Sequence, residues 1–160
     1  MIETPHIITT PPQHTAVIHL KLAMSEMMEQ FGPAVGELIA AVAAQGQQPV
    51  GPVFAHHLSI DPDCDSVPES FDFELSVPVA TPVIASGRMK PSTTPSVRAA
   101  KTAYCGPFEG LPAAWSEFMT WIKSQDLKPA MDLYEIYVTG PASSDDSSTW
   151  RTEFIRPLLG

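Results

Sequence analysis

Glu135 stands among aromatic residues in Tyr134-Glu135-Ile136-Tyr137. An acid beside ring faces is an arrangement that attracts an organic cation, which gains Coulomb attraction from the carboxylate and cation–π contact from the rings. On a strand Glu135 and Tyr137 share one face, and Tyr134 and Ile136 take the other. The plain alternative for Glu135 is a partly exposed glutamate paired across a sheet. Burial raises the pKa of a carboxylate, which is what a general acid or base needs near neutral pH. Tyr104 precedes the turn Gly106-Pro107, so its phenol could donate a hydrogen bond into a groove, or its ring could be core. With Glu135 it makes a candidate catalytic pair, should the protein be an enzyme. Glu109, just past that turn, reads as a helix-capping carboxylate.

Other residues carry weaker signals. Glu74 and Glu153 occupy equivalent places in two similar segments, which either flanks a ligand symmetrically or reflects duplication alone. Trp115, Phe118 and Trp121 read as helix-to-sheet core, with one ring able to reach a pocket. Met24, Met27 and Met28 suit either core filling or an adaptable lid. Asp61-Pro62-Asp63-Cys64-Asp65 lacks the glycine and the final glutamate of a calcium loop. His56 and His57 are adjacent, so on a strand they face opposite sides and cannot share a metal in the usual way. With no nucleophile elbow, phosphate loop or dinucleotide fingerprint, we expect neither a metal nor a cofactor.

The elements that must position these groups come in two sets. Phe71-Asp72-Phe73-Glu74-Leu75-Ser76-Val77-Pro78-Val79 is echoed 79 positions later by the segment from Trp150 to Leu158, and Phe54-Ala55-His56-His57-Leu58-Ser59 is echoed 80 positions later by Tyr134 to Thr139. In the first half, strands are expected at Ala16 to Leu20, Pro52 to Ser59 and Phe71 to Val79, the last half-buried by alternation. A helix opens with Ser25 as cap, takes Pro33 as the first position of its main run, and stops at Gly46, with Val35, Leu38, Ile39 and Val42 as its core face. The second half repeats this: a connecting strand from Val83 to Lys90, a strand from Val97 to Tyr104, a helix from Gly110 to Ser124 with Trp115, Phe118, Met119 and Ile122 on one face, then strands at Tyr134 to Thr139 and Trp150 to Leu158. Acidic or Ser/Asp-rich loops, Asp61 to Ser70 and Gly140 to Thr149, separate the last two strands of each half. The expected class is α+β: one domain over 1–160, with internal repeats at about 16–79 and 97–158, built from two pseudo-symmetric strand-helix-strand-strand units. Their antiparallel strands form a layer packed by two main helices, with a ligand groove at the pseudo-twofold.

Bulk properties narrow the function. A net charge of −9, from 18 acidic and 9 scattered basic residues, argues against nucleic-acid or anionic-membrane binding. Two cysteines, Cys64 and Cys105, form neither a disulfide framework nor a zinc pattern. No signal peptide or membrane-spanning run stands out, so the expected location is the cytoplasm.

Tyr104-Cys105-Gly106-Pro107-Phe108-Glu109, then Trp115, Tyr134-Glu135-Ile136-Tyr137 and Trp150-Arg151-Thr152-Glu153-Phe154-Ile155-Arg156-Pro157 together resemble the GyrI-like family over residues 16 to 158. The resemblance implies paired strand-helix-strand-strand modules around an aromatic pocket with an acidic floor that receives organic cations. The residues expected to contact a ligand are Glu135, Tyr104, Tyr137, Phe54, His57, Trp115 and Glu153. Family members include effector-binding domains of regulators, a gyrase-inhibiting protein and hydrolases of cyclopropanoid natural products. Three readings follow: a binder of hydrophobic or cationic small molecules, a hydrolase using Glu135 and Tyr104, or an inhibitor whose acidic surface meets a protein partner. Only about 15 residues precede the first expected strand, so DNA reading through an added helix-turn-helix unit is not expected. Glu135 aligns with Ala55 and Tyr137 with His57, which should leave the pocket chemically lopsided.

Overall fold

The computed structural model describes residues 2–58, 60, 70–140 and 144–159. The expected acidic loop from Asp61, with Cys64, and the side chains of Met24 and Met28 lie outside the described residues. So do 141–143 in the second Ser/Asp-rich loop.

The chain forms two compact units. One comprises Pro11–Leu58 and Pro68–Ser96. It holds β2 (Gln13–Ala23), α1 (Met24–Ala43), β3 (Phe54–His57), β4 (Ser70–Val79) and β5 (Met89–Thr94). Its antiparallel strands run in the order β3-β4-β2-β5. Alternation makes one face apolar: Ala16, Ile18, Leu20 and Leu22 lie directly across from Val77, Leu75, Phe73 and Phe71. α1 covers that face, burying Ala34, Leu38 and Val42 and stacking Phe31 on Phe73 at 6.3 Å.

Several expectations are corrected here. α1 is continuous from Met24, so Pro33 lies inside it. Its cap is Ala23, whose N–H donates to the Glu26 carboxylate at 2.8 Å, not Ser25. The buried stripe runs through Phe31, Ala34, Leu38 and Val42. Val35 falls at its edge and Ile39 is 38% exposed, because each lies about 100° around the helix from Ala34 and Leu38, which centre the packed face. β2 extends beyond Ala16 to Leu20 at both ends, since its ladder with β4 continues from His14 to Ala23. The strand expected from Val83 starts only at Met89, after a turn closed by the Ser86–Met89 bridge. β4 is an inner strand, between β3 and β2, and from Leu75 onward consecutive residues are buried instead of alternate ones.

The other unit draws on Met1–Thr10, Ser59–Val67 and Val97–Gly160. It holds β1 (His6–Thr9), β6 (Arg98–Cys105), α2 (Leu111–Ser124), β7 (Leu133–Tyr137) and β8 (Arg151–Pro157), in the antiparallel order β1-β6-β8-β7. β1 was not expected. It is a four-residue edge strand between prolines, with little apolar burial to mark it. A 3₁₀ turn at Phe108–Gly110 leads into α2, where Pro112 sits in the first turn. Phe118 and Ile122 pack with Ala100, Tyr104 and Phe154, and Trp115 and Met119 border them, as the helical spacing predicts.

Arg156 is 1% exposed and binds this unit's connecting segments. Its guanidinium donates to the carbonyls of Ala130 (2.8 Å) and Ile60 (2.7 Å). The two units share one internal plan. Ala55 pairs with Leu75 as Glu135 pairs with Phe154, and His57 pairs with Phe73 as Tyr137 pairs with Thr152. Among the described residues no helix is long and apolar enough to cross a membrane.

Candidate functional site

Directly opposed residues of antiparallel strands share a face. Across β6, β8 and β7, Thr102 opposes Phe154, which opposes Glu135; Tyr104 opposes Thr152, which opposes Tyr137. This is the face that α2 covers. Trp115 of α2 stacks on Phe154 with ring centroids 4.4 Å apart and planes 11° from parallel. Glu135, Tyr137, Trp115 and Tyr104 are therefore gathered on one side of one sheet, with Phe154 at the middle.

Glu135 is half-buried. Tyr137 also keeps part of its side chain accessible, yet burial around the phenol raises its pKa well above the ordinary value, and the nearby charge of Glu135 raises it further. The phenol is thus protonated near neutral pH, with an O–H able to donate a hydrogen bond. Phe108 meets Tyr137 edge-on at 6.0 Å and Trp150 at 4.9 Å, which extends the aromatic surface. Trp150 is held by its indole N–H donating to the Ser144 carbonyl at 2.8 Å.

Tyr104 is placed by the turn that follows it. Its hydroxyl donates to the Pro107 carbonyl at 3.0 Å, and the ring lies 6.5 Å from Phe154. Glu109 lies in the 3₁₀ turn ahead of α2. Glu153 is on the opposite face from Glu135, 3.5 Å from both Lys101 and Arg151. Arg151 also pairs with Glu3, and that hydrogen bond raises the arginine's pKa and lowers the Glu3 carboxyl's. Phe54 and His57 belong to the other unit and take opposite faces of β3, across from Ser76 and Phe73. Both are buried, with His57 5.1 Å from Phe73 and 5.4 Å from Phe71. Glu74 pairs with His56 at 3.8 Å.

Phe154, Thr152 and Phe108 were not singled out in the sequence. The signal for the first two was strand period: if Glu153 faces one way, Thr152 and Phe154 must face the other. Among the described residues no group of His, Cys, Asp and Glu side chains is gathered to hold a metal. A separate open groove of about 370 Å³ runs between the N-terminal residues and the outer flank of α2, lined by Ile2, Glu3, Glu117 and Trp121 among others. None of the expected ligand residues lines it.

A family model for the GyrI-like small molecule binding domain matches residues 3–159. The chain belongs to the GyrI-like family. The crystal structure of the EcmrR C-terminal domain matches this GyrI-like chain at a TM-score of 0.82 and 19% identity, over 98% of this chain and 97% of that one. EcmrR in its complex with DNA matches at 0.81 and 19% identity; 97% of this chain is covered, but only 57% of that one. SAV2435 bound to tetraphenylphosphonium matches at 0.67 and 10% identity, over 99% and 95%. A hydrolase encoded by lin2189 from Listeria innocua matches at 0.67 and 14% identity, over 97% and 91%. At these identities the likenesses show the fold. No match was found among the curated proteins.

Proposed function

We propose that this GyrI-like protein binds cationic, largely aromatic small molecules on the α2-covered face of β6, β8 and β7. Glu135 supplies the countercharge, and Tyr137, Trp115 and Phe154 supply ring surface. The observation that carries the reading is a half-buried carboxylate placed opposite Phe154 and two residues from Tyr137, with Trp115 stacked on that same Phe154. Partial burial strengthens the attraction between the carboxylate and a delocalised cation, and the rings compensate the cation for lost water. SAV2435, of the same fold, is seen with such a cation, which supports the ligand class. Tyr104 acts here through the turn it holds. Phe54 and His57 belong to the other unit, and Glu153 lies on the opposite face with Lys101 and Arg151, so this reading does not draw on them.

Calorimetry with tetraphenylphosphonium and neutral triphenylphosphine oxide tests this. Glu135→Gln should weaken the cation about tenfold, the order expected for one partly buried charge pair, and the neutral compound less than twofold. Equal losses for both would make Glu135 structural.

The hydrolase reading is favoured by one comparison, the Listeria innocua hydrolase of the same fold. With the Tyr104 hydroxyl engaged by Pro107, the acid–base pair would be Glu135 and Tyr137, the phenol donating and the carboxylate activating water. Multiple turnovers of an electrophilic ligand, reduced more than affinity by Glu135→Gln, would establish it.

A further inference from the structure

We infer that the Trp115 indole N–H and the Thr152 hydroxyl read a neutral hydrogen-bond acceptor on the ligand, so that the preferred ligands carry a carbonyl or ether oxygen on their aromatic body. This deepens the proposed cation site and rests on it for the ligand's position.

The inference starts from two unpartnered atoms. Trp115 Nε1 and Thr152 Oγ1 are buried without a hydrogen-bond partner, and Thr152 is 0% exposed. A buried polar group left unsatisfied is costly, and native folds avoid it. This fold satisfies comparable groups nearby: the Trp150 indole donates to Ser144 at 2.8 Å, and the Thr102 hydroxyl donates to the Glu3 carbonyl at 2.7 Å. Thr15, in the other unit, also lacks a partner, but it lies across from Pro78 and Ser92 with no carboxylate beside it.

The two residues are both neighbours of Phe154. Trp115 stacks on Phe154. Thr152 is two residues from Phe154 on the same strand face, between Tyr104 and Tyr137 on the neighbouring strands. Glu135 is directly opposite Phe154. An indole N–H can only donate, and a hydroxyl can donate or accept, so an acceptor is the one partner type that satisfies both. A ligand whose charge is held by Glu135 would meet these two groups with its uncharged part.

Two matched pairs of compounds test the inference by calorimetry. One pair is triphenylphosphonium bearing para-acetylphenyl or the near-isosteric para-isopropylphenyl. The other is neutral para-acetylbiphenyl and para-isopropylbiphenyl. The wild-type protein should prefer the acetyl member of each pair by about fivefold, the order of one net hydrogen bond. Thr152→Val should reduce that preference while changing affinity for the isopropyl members less than twofold, and Trp115→Phe, which also trims ring surface and so weakens both members of a pair, should reduce the ratio between them. Thr152→Ser should retain it, and unchanged thermal midpoints would show that the variants fold. Cations binding no better than neutral compounds would overturn the charge reading alone. No acetyl preference in either pair, or a preference untouched by the substitutions, would overturn this inference alone, and absence of all binding would overturn both.

Discussion

The hydroxyl of Tyr104 occupies the space where side chains at two nearby glycines would stand. A Cβ on Gly110 would lie 2.0 Å from that oxygen and one on Gly106 2.6 Å from it, and Gly106 also has a positive φ of 152°. Gly110→Ala should therefore destabilise the protein by about 1–3 kcal/mol, the usual cost of overpacking, read as a lower midpoint in urea. Adding Tyr104→Phe should recover part of that loss, because the nearest clashing atom is removed while a ring carbon at 2.9 Å remains. A wild-type midpoint for Gly110→Ala would show that the ring has room to move. The sequence made Gly106-Pro107 visible as a turn, but not where the Tyr104 phenol goes, since only the folded turn presents the Pro107 carbonyl. The shared face of Glu135 and Tyr137 was legible from strand period alone. Thr152 carries no chemical signal of its own in the sequence, and only the pairing of β8 with β6 and β7 sets it between Tyr104 and Tyr137.

α1 carries Gly32, Pro33 and Gly36 in its middle. Pro33 has no N–H to give the Glu29 carbonyl one turn back, and an added Cβ at Gly36 would meet nothing within 4 Å. Pro33→Ala should raise stability by about 1–3 kcal/mol and Gly36→Ala by about 0.5–1 kcal/mol, measured as shifts in thermal midpoint. No gain from either would mean that the helix is bent to suit its packing. Proline misled the sequence reading here for a physical reason: a first-turn proline and a tolerated interior proline look alike until neighbouring turns are known to be helical. The paired strands were more legible. The two echoes differ in offset by one residue, 79 against 80, and that difference falls between the strands of each pair. Both ladders therefore keep the same register; a one-residue change within a strand would have turned every side chain to the other face.

Across the whole molecule, Glu3, Glu37 and Glu74 are held below the ordinary glutamate range, first by hydrogen bonds from Arg151, Arg88 and His56 respectively. A carboxyl depressed in the folded state contributes stability above its unfolded value, about pH 4.3, and loses it as pH falls through the folded value. Thermal midpoints should thus decline as the pH is lowered from about 4.3. Glu74→Gln should flatten part of that decline, because Glu74 is half-buried beside His56. Parallel curves for variant and wild type would mean that the His56 contact adds no stability. The placement of aromatic residues has an optical consequence. All three tryptophans and all three tyrosines, Trp115, Trp121, Trp150, Tyr104, Tyr134 and Tyr137, lie within Val97–Gly160, and the unit carrying β2 to β5 has phenylalanine as its only aromatic of that kind. Tryptophan and tyrosine fluorescence, and the tryptophan and tyrosine bands of near-ultraviolet dichroism, therefore watch one unit only, while far-ultraviolet dichroism watches both. Coincident melts by the two kinds of light would show the units unfolding as one cooperative body, and separated melts would resolve them without any added label.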